Sequence, residues 1–228
     1  MKRLIALTIL LMMLTGVVTA AEEITFRGLE WYATKAEVEQ ILFADGAKEA
    51  GWSSSDNDIY RMSATDYSNV TSGSNRVDDG GVKGWYKGIK IAGHTPSDTY
   101  ACYMYPVEDG KLVRDDDKTE FYFGWYTFDR SDFSNHAAIF EDLLTKLASI
   151  YGEPESETTK YNTQKRWYDS AGNMIRLFIN TDKDYVTLGY IAFDAEERLE
   201  KLQAAIDVEK AAAEAEELKK IQDNTDGL

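Results

Sequence analysis

Two stretches of this chain place apolar residues at helical spacing. The capping-box pattern Thr34-Lys-Ala-Glu37 begins the first and predicts a helix over Lys35–Asp45. Ser134 or Asn135 can cap the second stretch, and Gly152 ends it. The apolar stripe of this second helix consists of Ile139, Phe140, Leu143, Leu144, Leu147, Ile150 and Tyr151.

Short stretches rich in aromatic and β-branched residues, separated by turn residues, predict a series of strands. We place these strands at about 82–92, 99–106, 111–114, 119–129, 164–169, 174–180 and 185–193. The Asp109-Gly110 dipeptide predicts a tight turn between the second and third. Residues 51–81 are rich in Ser, Asp, Asn and Gly, which indicates long loops around a short strand at 59–62.

Side chains alternate between the two faces of a strand, so the sequence also predicts orientation. In the strand over 119–129 we expect three rings on one face, those of Phe121, Phe123 and Trp125, with Tyr122 and Tyr126 on the other. Both faces are then aromatic, as expected for a strand covered on both sides. In the strand over 174–180 we expect the side chains of Ile175, Leu177 and Ile179 to pack on the second helix.

The order of elements, a helix followed by antiparallel strands, occurs twice. It predicts an α+β fold of two tandem helix-then-antiparallel-sheet units, at 21–129 and 130–193, forming one body. The Trp-Tyr dipeptides at 31–32, 85–86, 125–126 and 167–168 suggest internal duplication, although the strand preference of aromatic residues also produces such pairs.

From residue 194 to 228 the composition changes to Ala, Glu, Lys and Leu, which predicts a C-terminal helix with a frayed tail. Asp194-Ala-Glu-Glu197 is a capping signal for its first turn. Leu199, Leu202 and Ile206 share one face and can dock on the body or on a partner. No heptad pattern is sustained beyond them, so we do not expect a stable coiled coil.

Residues 1–20 have the features of a signal peptide. Lys2 and Arg3 precede an apolar stretch from Leu4 to Val18, which is shorter than a membrane span, and small residues follow it. The sequence therefore predicts a secreted or extracytoplasmic, soluble protein with no membrane span after cleavage. No cysteine stands directly after the apolar stretch, so no bacterial lipid anchor is expected. A retained N-terminal anchor is the alternative.

The net charge is −15, which disfavours nucleic acid and anionic lipid as partners. Solubility explains this acidity, and a surface for cations or basic partners is the alternative. Cys102 is the only cysteine, so no disulfide can form within the chain. It shares a strand face with Tyr100 and Met104, and we expect a buried, unreactive thiol.

Two segments resemble a broad group of exported bacterial proteins of unknown function. They are Phe26-Arg-Gly-Leu-Glu-Trp31, followed by the first helix, and Tyr151-Gly-Glu-Pro154, followed by Trp167 and paired strands. That group is similar to the tandem helix-plus-sheet fold of the beta-lactamase inhibitor proteins and of small outer-membrane assembly lipoproteins. The resemblance implies a fold and a binding role over about 26–193 and transfers no site residues. Tyr32 stands where the group usually has glycine, and the disulfides of the inhibitor proteins cannot form here.

The sequence contains no catalytic motif that we can identify. His94 and His136 both lie among turn or capping residues, and no serine-protease triad or His-based metal pattern surrounds them. Asp115-Asp-Asp117 lacks the ligand spacing of a calcium loop, so a solvated acidic turn is the better interpretation. We therefore predict no catalytic residue, no metal site and no cofactor, and we predict that the protein is not an enzyme.

Two functional hypotheses remain. The first is a non-catalytic interaction protein that binds an unknown protein partner through its aromatic sheet face or its C-terminal helix. The second is a glycan- or small-ligand-binding protein, with or without weak hydrolase activity, whose cleft lies between the two units. Gly124 leaves the face of Tyr126 open, so we expect this ring to be accessible. The candidate binding residues are Tyr86, Tyr126, Tyr168, Leu199, Leu202 and Ile206.

Overall fold

The computed structural model describes residues 22–50, 59–60, 76–129, 135–180, 182 and 184–225, with side chains up to Gln222. Within these residues the chain forms three helices, α1 (Lys35–Ala44), α2 (His136–Tyr151) and α3 (Ala195–Thr225). The first strands are β1 (Lys48–Glu49), β2 (Ile59–Tyr60), β3 (Arg76–Val77), β4 (Gly81–Lys87), β5 (Asp98–Met104), β6 (Val107–Glu108) and β7 (Lys111–Leu112). The others are β8 (Glu120–Phe128), β9 (Glu155–Thr158), β10 (Asn162–Tyr168), β11 (Met174–Asn180) and β12 (Val186–Ile191).

Eight of these strands form one antiparallel sheet in the order β1-β4-β5-β8-β12-β11-β10-β9. The pair β8·β12 lies at its centre and joins the strands that follow α1 to those that follow α2. The remaining strands form two separate ribbons, β2–β3 and β6–β7. Helices with a large antiparallel sheet confirm the predicted α+β class.

The helices α1 and α2 begin and end close to the predicted positions. Thr34 accepts a hydrogen bond from the Glu37 amide, and Glu37 reaches back to the Thr34 amide, which confirms the capping box. In α2 the side chain of Asn135 accepts from the amide of Ala138 at 3.0 Å. The polar side chains therefore satisfy amides that the first helical turns leave without intrahelical partners.

Both helices pack on one face of the sheet, and we call the apolar cluster between them the helix-side core. It includes Ile24, Phe26, Leu29, Val38, Leu42, Tyr86, Ala101, Tyr103, Phe121, Tyr126, Phe128, Ile139, Phe140, Leu143, Leu147, Trp167, Ile175, Leu177, Ile179, Val186, Leu188 and Tyr190. The predicted packing of the β11 side chains Ile175, Leu177 and Ile179 on α2 is confirmed.

The first turns of α3 and the two ribbons cover the opposite face, and we call the cluster there the α3-side core. It consists of Ile59, Val77, Cys102, Met104, Tyr105, Leu112, Tyr122, Phe123, Trp125, Met174, Phe178, Ile191, Ala192, Ala195, Leu199, Leu202, Ala205 and Ile206. The central strands are thus buried on both faces, as predicted for the strand that is now β8.

The predicted alternation in β8 is wrong for two residues, Phe121 and Tyr122, because the strand contains a bulge. Cys102 of β5 lies opposite Phe123, whereas the next residue, Tyr103, lies opposite Phe121, so Tyr122 has no partner of its own. Phe121 therefore belongs to the helix-side core, while Tyr122 and Phe123 both belong to the α3-side core. Tyr122 and Tyr126 consequently lie on opposite faces of the sheet.

Several strands are shorter than predicted. The stretch predicted over 82–92 is extended only to Lys87, and the one predicted over 111–114 only to Leu112. The turn at Asp109-Gly110 is confirmed, since β6 and β7 pair across it. The predicted signal peptide, most of the loop stretch 51–75 and the last residues of the tail lie outside the described residues. Within the part that is described, no helix is both long and apolar enough to cross a membrane.

Candidate functional site

Tyr126, which we expected to be accessible, is fully buried, so that prediction is wrong. The space above Gly124 is filled by the ring of Phe26, which would lie 2.7 Å from a Cβ atom added to Gly124. Phe26 also stacks on Tyr126, with ring centroids 5.4 Å apart. Burial raises the pKa of the Tyr126 phenol to about 12 despite the nearby Arg27 guanidinium. Tyr126 is therefore a core residue.

Tyr86 is also buried in the helix-side core. Its hydroxyl donates to a carboxylate oxygen of Glu39 at 3.0 Å and lies 3.3 Å from the hydroxyl of Tyr103. Burial raises the pKa of the Tyr86 phenol above its ordinary value. This network links β4 and β5 to α1 and leaves Tyr86 unavailable to a ligand.

Tyr168 is the candidate tyrosine that the structure exposes, with 43 % of its surface accessible. Its neighbour Trp167 belongs to the helix-side core, so Tyr168 points to the opposite face of β10. Tyr126 and Tyr168 thus lie on opposite faces of the sheet. A groove lined by both tyrosines, which would favour the ligand-binding hypothesis, is therefore not formed.

Tyr168 instead borders a cleft of about 370 Å³ between the β10–β11 turn and the start of α3, which we call the aromatic cleft. Its lining consists of Tyr122, Tyr168, Gly172, Met174, Ile191, Ala192, Phe193, Ala195, Glu196 and Leu199. Phe193, which the sequence reading did not single out, is 69 % exposed at its rim. Of the predicted site residues, the cleft brings together Tyr168 and Leu199.

The β10–β11 turn holds the rim of the cleft in place. The carboxylate of Asp169 accepts from the amides of Ala171 and Asn173 and from the distant amide of Ile24, each at 2.9 Å. Burial opposes ionisation of Asp169, but the hydrogen bonds from Asn173 and Ile24 prevail and lower its pKa. Asn173 in turn accepts from the Phe193 amide at 3.0 Å, which links the turn to the start of α3.

Gly172 determines where the ring of Phe193 lies. A Cβ atom at this position would come 2.4 Å from the Phe193 ring, and Gly172 has a φ of +92°, which other residues rarely adopt. The ring therefore rests directly on the backbone of the turn. This contact explains how Phe193 is positioned while most of its surface remains open to solvent.

A group of polar side chains, which we call the Tyr32 cluster, anchors the first turn of α3 on the other side. The Tyr32 hydroxyl donates to the carboxylate of Asp194, and the Arg198 guanidinium lies 3.6 Å above the Tyr32 ring centroid. Arg198 also donates to Glu120 at 2.8 Å and to Asp194 at 3.0 Å. Tyr32 has a φ of +67°, a conformation that glycine adopts most readily.

The ionisation of this cluster follows from its contacts. Burial and the hydrogen bond to Asp194 raise the pKa of the Tyr32 phenol. Burial also opposes ionisation of Asp194, but its bonds from Tyr32 and Arg198 prevail and lower its pKa. A second cleft of about 400 Å³ lies beside the cluster. Its lining is Met104, Tyr105, Pro106, Val107, Glu108, Glu120, Asp194, Glu197, Arg198 and Lys201.

One side of the first turns of α3 is buried against the sheet, whereas its later turns are exposed as far as Gln222. Leu199, Leu202 and Ile206 are buried against the sheet, so the C-terminal helix docks on the body. From Val208 to Gln222 every residue is exposed, and we call residues 208–225 the α3 extension. The buried leucines hold the helix in place and are not themselves a free binding surface.

The residues considered for chemistry have structural partners. His94 Nε2 lies 2.6 Å from a carboxylate oxygen of Asp142, and His136 Nε2 lies 3.1 Å from the carbonyl oxygen of Asp129. Cys102 is buried, and burial raises the pKa of its thiol to about 12. Among the described residues, no three His, Cys, Asp or Glu side chains are grouped so that they could hold a metal ion.

The three aspartates at 115–117 form part of a short turn. Asp115 accepts from the amide of Asp117 at 3.1 Å, and Asp116 accepts from the hydroxyl of Tyr105 at 2.7 Å. These bonds give the acidic stretch a role in closing the 3₁₀ turn at Asp116–Lys118.

The residues considered for catalysis or metal binding thus have structural roles, and the exposed aromatic cleft is the surface on which a function can be argued. Comparisons of this chain with protein-family models, with curated proteins and with solved structures found no match.

Proposed function

We propose that this chain is an exported, non-catalytic interaction protein that binds a protein partner at the aromatic cleft. The observation that carries the proposal is the exposure of Phe193 and Tyr168, at 69 % and 43 %, on either side of one apolar cleft. A large exposed aromatic side chain beside a concave apolar surface is typical of the energetic centre of a protein interface.

The lining of the cleft favours an apolar side chain over a sugar. Glu196 is the one ionisable carboxylate among its lining residues, and most of the others are aliphatic or aromatic. Sugar recognition needs several polar side chains to pair with hydroxyl groups, in addition to an aromatic ring for stacking. The transfer of a leucine, phenylalanine or tryptophan side chain from water into this site would be favourable.

The α3 extension offers a second contact. Val208 and Leu218 are 67 % and 61 % exposed, on a helical stretch whose residues are exposed as far as Gln222. Most helical stability in proteins comes from the packing of an apolar face, so contact with a partner would stabilise this stretch. The extension begins about two turns beyond the part of α3 that borders the cleft, and one partner could contact both.

We further infer that the fold arose by tandem duplication, with units at about 21–129 and 130–193. In support, α1 and α2 are each followed by four strands of the sheet, and the last strands of the two sets, β8 and β12, pair at its centre. The same arrangement would relate the chain to the exported proteins that its sequence resembles and, through them, to the fold of the inhibitor proteins. Export rests on the signal-peptide pattern of residues 1–20.

Site-specific photo-crosslinking in the producing cells tests the proposed binding site. A benzoylphenylalanine in place of Tyr168 should capture one defined protein, whereas the same group in place of Tyr161 should not. Tyr161 is 69 % exposed and lies outside the lining of the cleft, so it controls for accidental contact. The adduct from position 168 should disappear when Phe193→Asp is added.

Equal adducts from both positions, or none, would contradict binding at the cleft. The ligand-binding alternative is tested by thermal shifts of the full chain with oligosaccharides and cell-wall fragments. A ligand that binds only the folded state raises the midpoint of unfolding. A saturable shift that Phe193→Asp abolishes would replace the protein partner with a glycan.

A further inference from the structure

We infer that the partner inserts one large apolar side chain into the aromatic cleft and places lysine or arginine side chains along the adjoining face of α3. This inference rests on the proposed function and adds the chemical class of the partner. The occupant is thus a basic protein segment with an apolar anchor. The apolar lining of the cleft indicates the anchor, and the negative charge of the adjoining face of α3 indicates the basic residues.

The cleft suits a single anchor. Its volume of about 370 Å³ lies near the lower end of the ~300–1,000 Å³ found for small-ligand sites. Leu199, Met174 and Ile191 form apolar walls that are themselves buried, so the floor is already positioned before a partner arrives. Phe193 can then cover the inserted side chain from the rim, which removes apolar surface of both molecules from water.

The face of α3 beside the cleft is acidic. Glu200 and Asp207 are exposed on the same side of α3 as Glu196, whereas the basic residues of the first turns, Arg198 and Lys201, line the second cleft. Both basic residues have carboxylate partners within the chain, since Arg198 bonds to Asp194 and Glu120, and Lys201 bonds to Glu197 at 2.6 Å. The local field at this face is therefore negative, in the same sense as the net charge of −15.

Two of the acids are spaced in a way that folding alone does not favour. Glu196 borders the cleft, and Glu200 follows one turn later on the same side of the helix, about 6 Å along its axis. Like charges at this spacing repel each other on a helix. The helix dipole favours an acid in the first turn, as for Glu196, but its effect fades before Glu200.

A basic segment would complement the exposed acids of this face. A lysine or arginine placed one helical turn from the anchored side chain would lie beside the exposed carboxylate of Glu200. Asp207 continues the acidic face two turns further and is already oriented by a hydrogen bond from Gln203 at 2.9 Å. Acidic partners and polyanions are disfavoured by the same charges.

Peptide selection on the full chain tests the inference with a defined probe. A phage-displayed library of random 12-residue peptides is selected on the wild-type protein and depleted on the Phe193→Asp variant. The expected consensus contains one leucine, phenylalanine or tryptophan and at least one lysine or arginine within about one helical turn of it. Binding of the synthetic consensus peptide should weaken at least tenfold between 50 and 500 mM salt.

Charge-reversal variants then separate the effect of acids beside the cleft from the effect of the net charge of the whole protein. Glu200→Lys should weaken binding of the consensus peptide at least tenfold, while Glu153→Lys, the same change at an exposed position outside the lining of the cleft and outside α3, should change it less than twofold. Both positions are exposed, so both variants should fold, and circular dichroism checks this.

The outcomes distinguish the inference from the proposed function. Phe193-dependent peptides without basic residues, or equal effects of the two charge reversals, would overturn the basic partner and leave binding at the cleft intact. A selection that yields no Phe193-dependent peptide would overturn both.

Discussion

The hydroxyl of Tyr32 donates a hydrogen bond to the carboxylate of Asp194, although 162 residues separate the two in the chain. Arg198, one turn further along α3, covers the ring of the same tyrosine. The backbone of Tyr32 has a left-handed conformation that costs a non-glycine residue about 1 kcal/mol or more. The contacts of its side chain with α3 offset this cost, and glycine at this position would have neither the cost nor the contacts.

Removal of the Tyr32 hydroxyl should destabilise the fold while the packing of its ring remains. We expect Tyr32→Phe to lower the free energy of unfolding by about 1.5 kcal/mol, because a hydrogen bond to a charged group is lost. Denaturation in guanidinium chloride measures this difference. Tyr161→Phe, which alters an exposed ring, is the control and should leave stability unchanged. Equal stability of wild type and Tyr32→Phe would show that the bond contributes nothing.

The bond to Asp194 should also make stability depend on pH. The folded-state pKa of Asp194 is lowered, so its stabilising effect is complete above the ordinary pKa of an aspartate and is lost as pH falls through the lowered value. The difference in unfolding free energy between wild type and Asp194→Asn should therefore be largest near pH 7 and shrink in acid. The other acids with lowered pKa values, such as Asp169, are common to both proteins and cancel. A difference that grows toward acid would refute this assignment.

Phe26 and Gly124 should be energetically coupled. An added methyl group in Gly124→Ala would overlap the Phe26 ring, and we expect a loss of about 1–3 kcal/mol from overpacking. Phe26→Leu should also be destabilising on its own because it removes buried ring contacts. The double variant should be more stable than the sum of the two losses predicts, since the smaller side chain makes room for the methyl group. A double-mutant cycle in denaturant measures the coupling, and strict additivity would contradict the packing.

Truncation should separate the docked part of α3 from its extension. A chain that ends after Asp207 should unfold with a free energy within about 0.5 kcal/mol of the full chain, because the removed residues from Val208 to Gln222 are exposed. The ion pair of Arg114 with Glu209 is lost as well, but both partners are exposed and such pairs contribute little.

A chain that ends after Glu200 is the matched comparison. It lacks Leu202 and Ile206, each of which contributes about 1.5–3 kcal/mol through burial, so its unfolding midpoint should fall sharply. Equal stability of the two truncated chains would show that α3 does not hold the α3-side core together. Calorimetry at one protein concentration compares them.

Cys102 should be inert in the folded protein. Its thiol is buried and its pKa is raised to about 12, so neither access nor thiolate is available at pH 8. We expect no labelling by a chromogenic disulfide reagent under native conditions and one labelled thiol per chain in 6 M guanidinium chloride. Rapid native labelling would place Cys102 at an accessible site instead.

The elements with strong local signals could be predicted from the sequence. Capping residues and a continuous apolar stripe were sufficient to predict α1 and α2. The alternation of side chains along β11 was sufficient to predict which of them face α2. The ion pairs of α3 at Glu197–Lys201 and Glu216–Lys220 also follow from spacing alone. In each case the deciding contacts lie within a few residues of one another.

The incorrect predictions concern side chains whose direction or burial is determined by residues distant in the sequence. The bulge at Tyr122 reverses the direction of the preceding side chain relative to Phe123, and nothing in the local alternation indicates it. Tyr126 is buried because the ring of Phe26 occupies the space above Gly124. The aromatic cleft combines the β10–β11 turn with the start of α3, so Phe193 lacked any local signal except its position just before a helix. Tyr32, at a position where the resemblance predicts glycine, was the local feature that pointed to the start of α3.

The α3 extension is a helical segment of defined length that continues the docked part of α3. Its 18 residues span about 27 Å when helical, and its root is fixed to the sheet by Leu202 and Ile206. A molecule held at the far end and another held in the aromatic cleft would therefore be kept at a set separation.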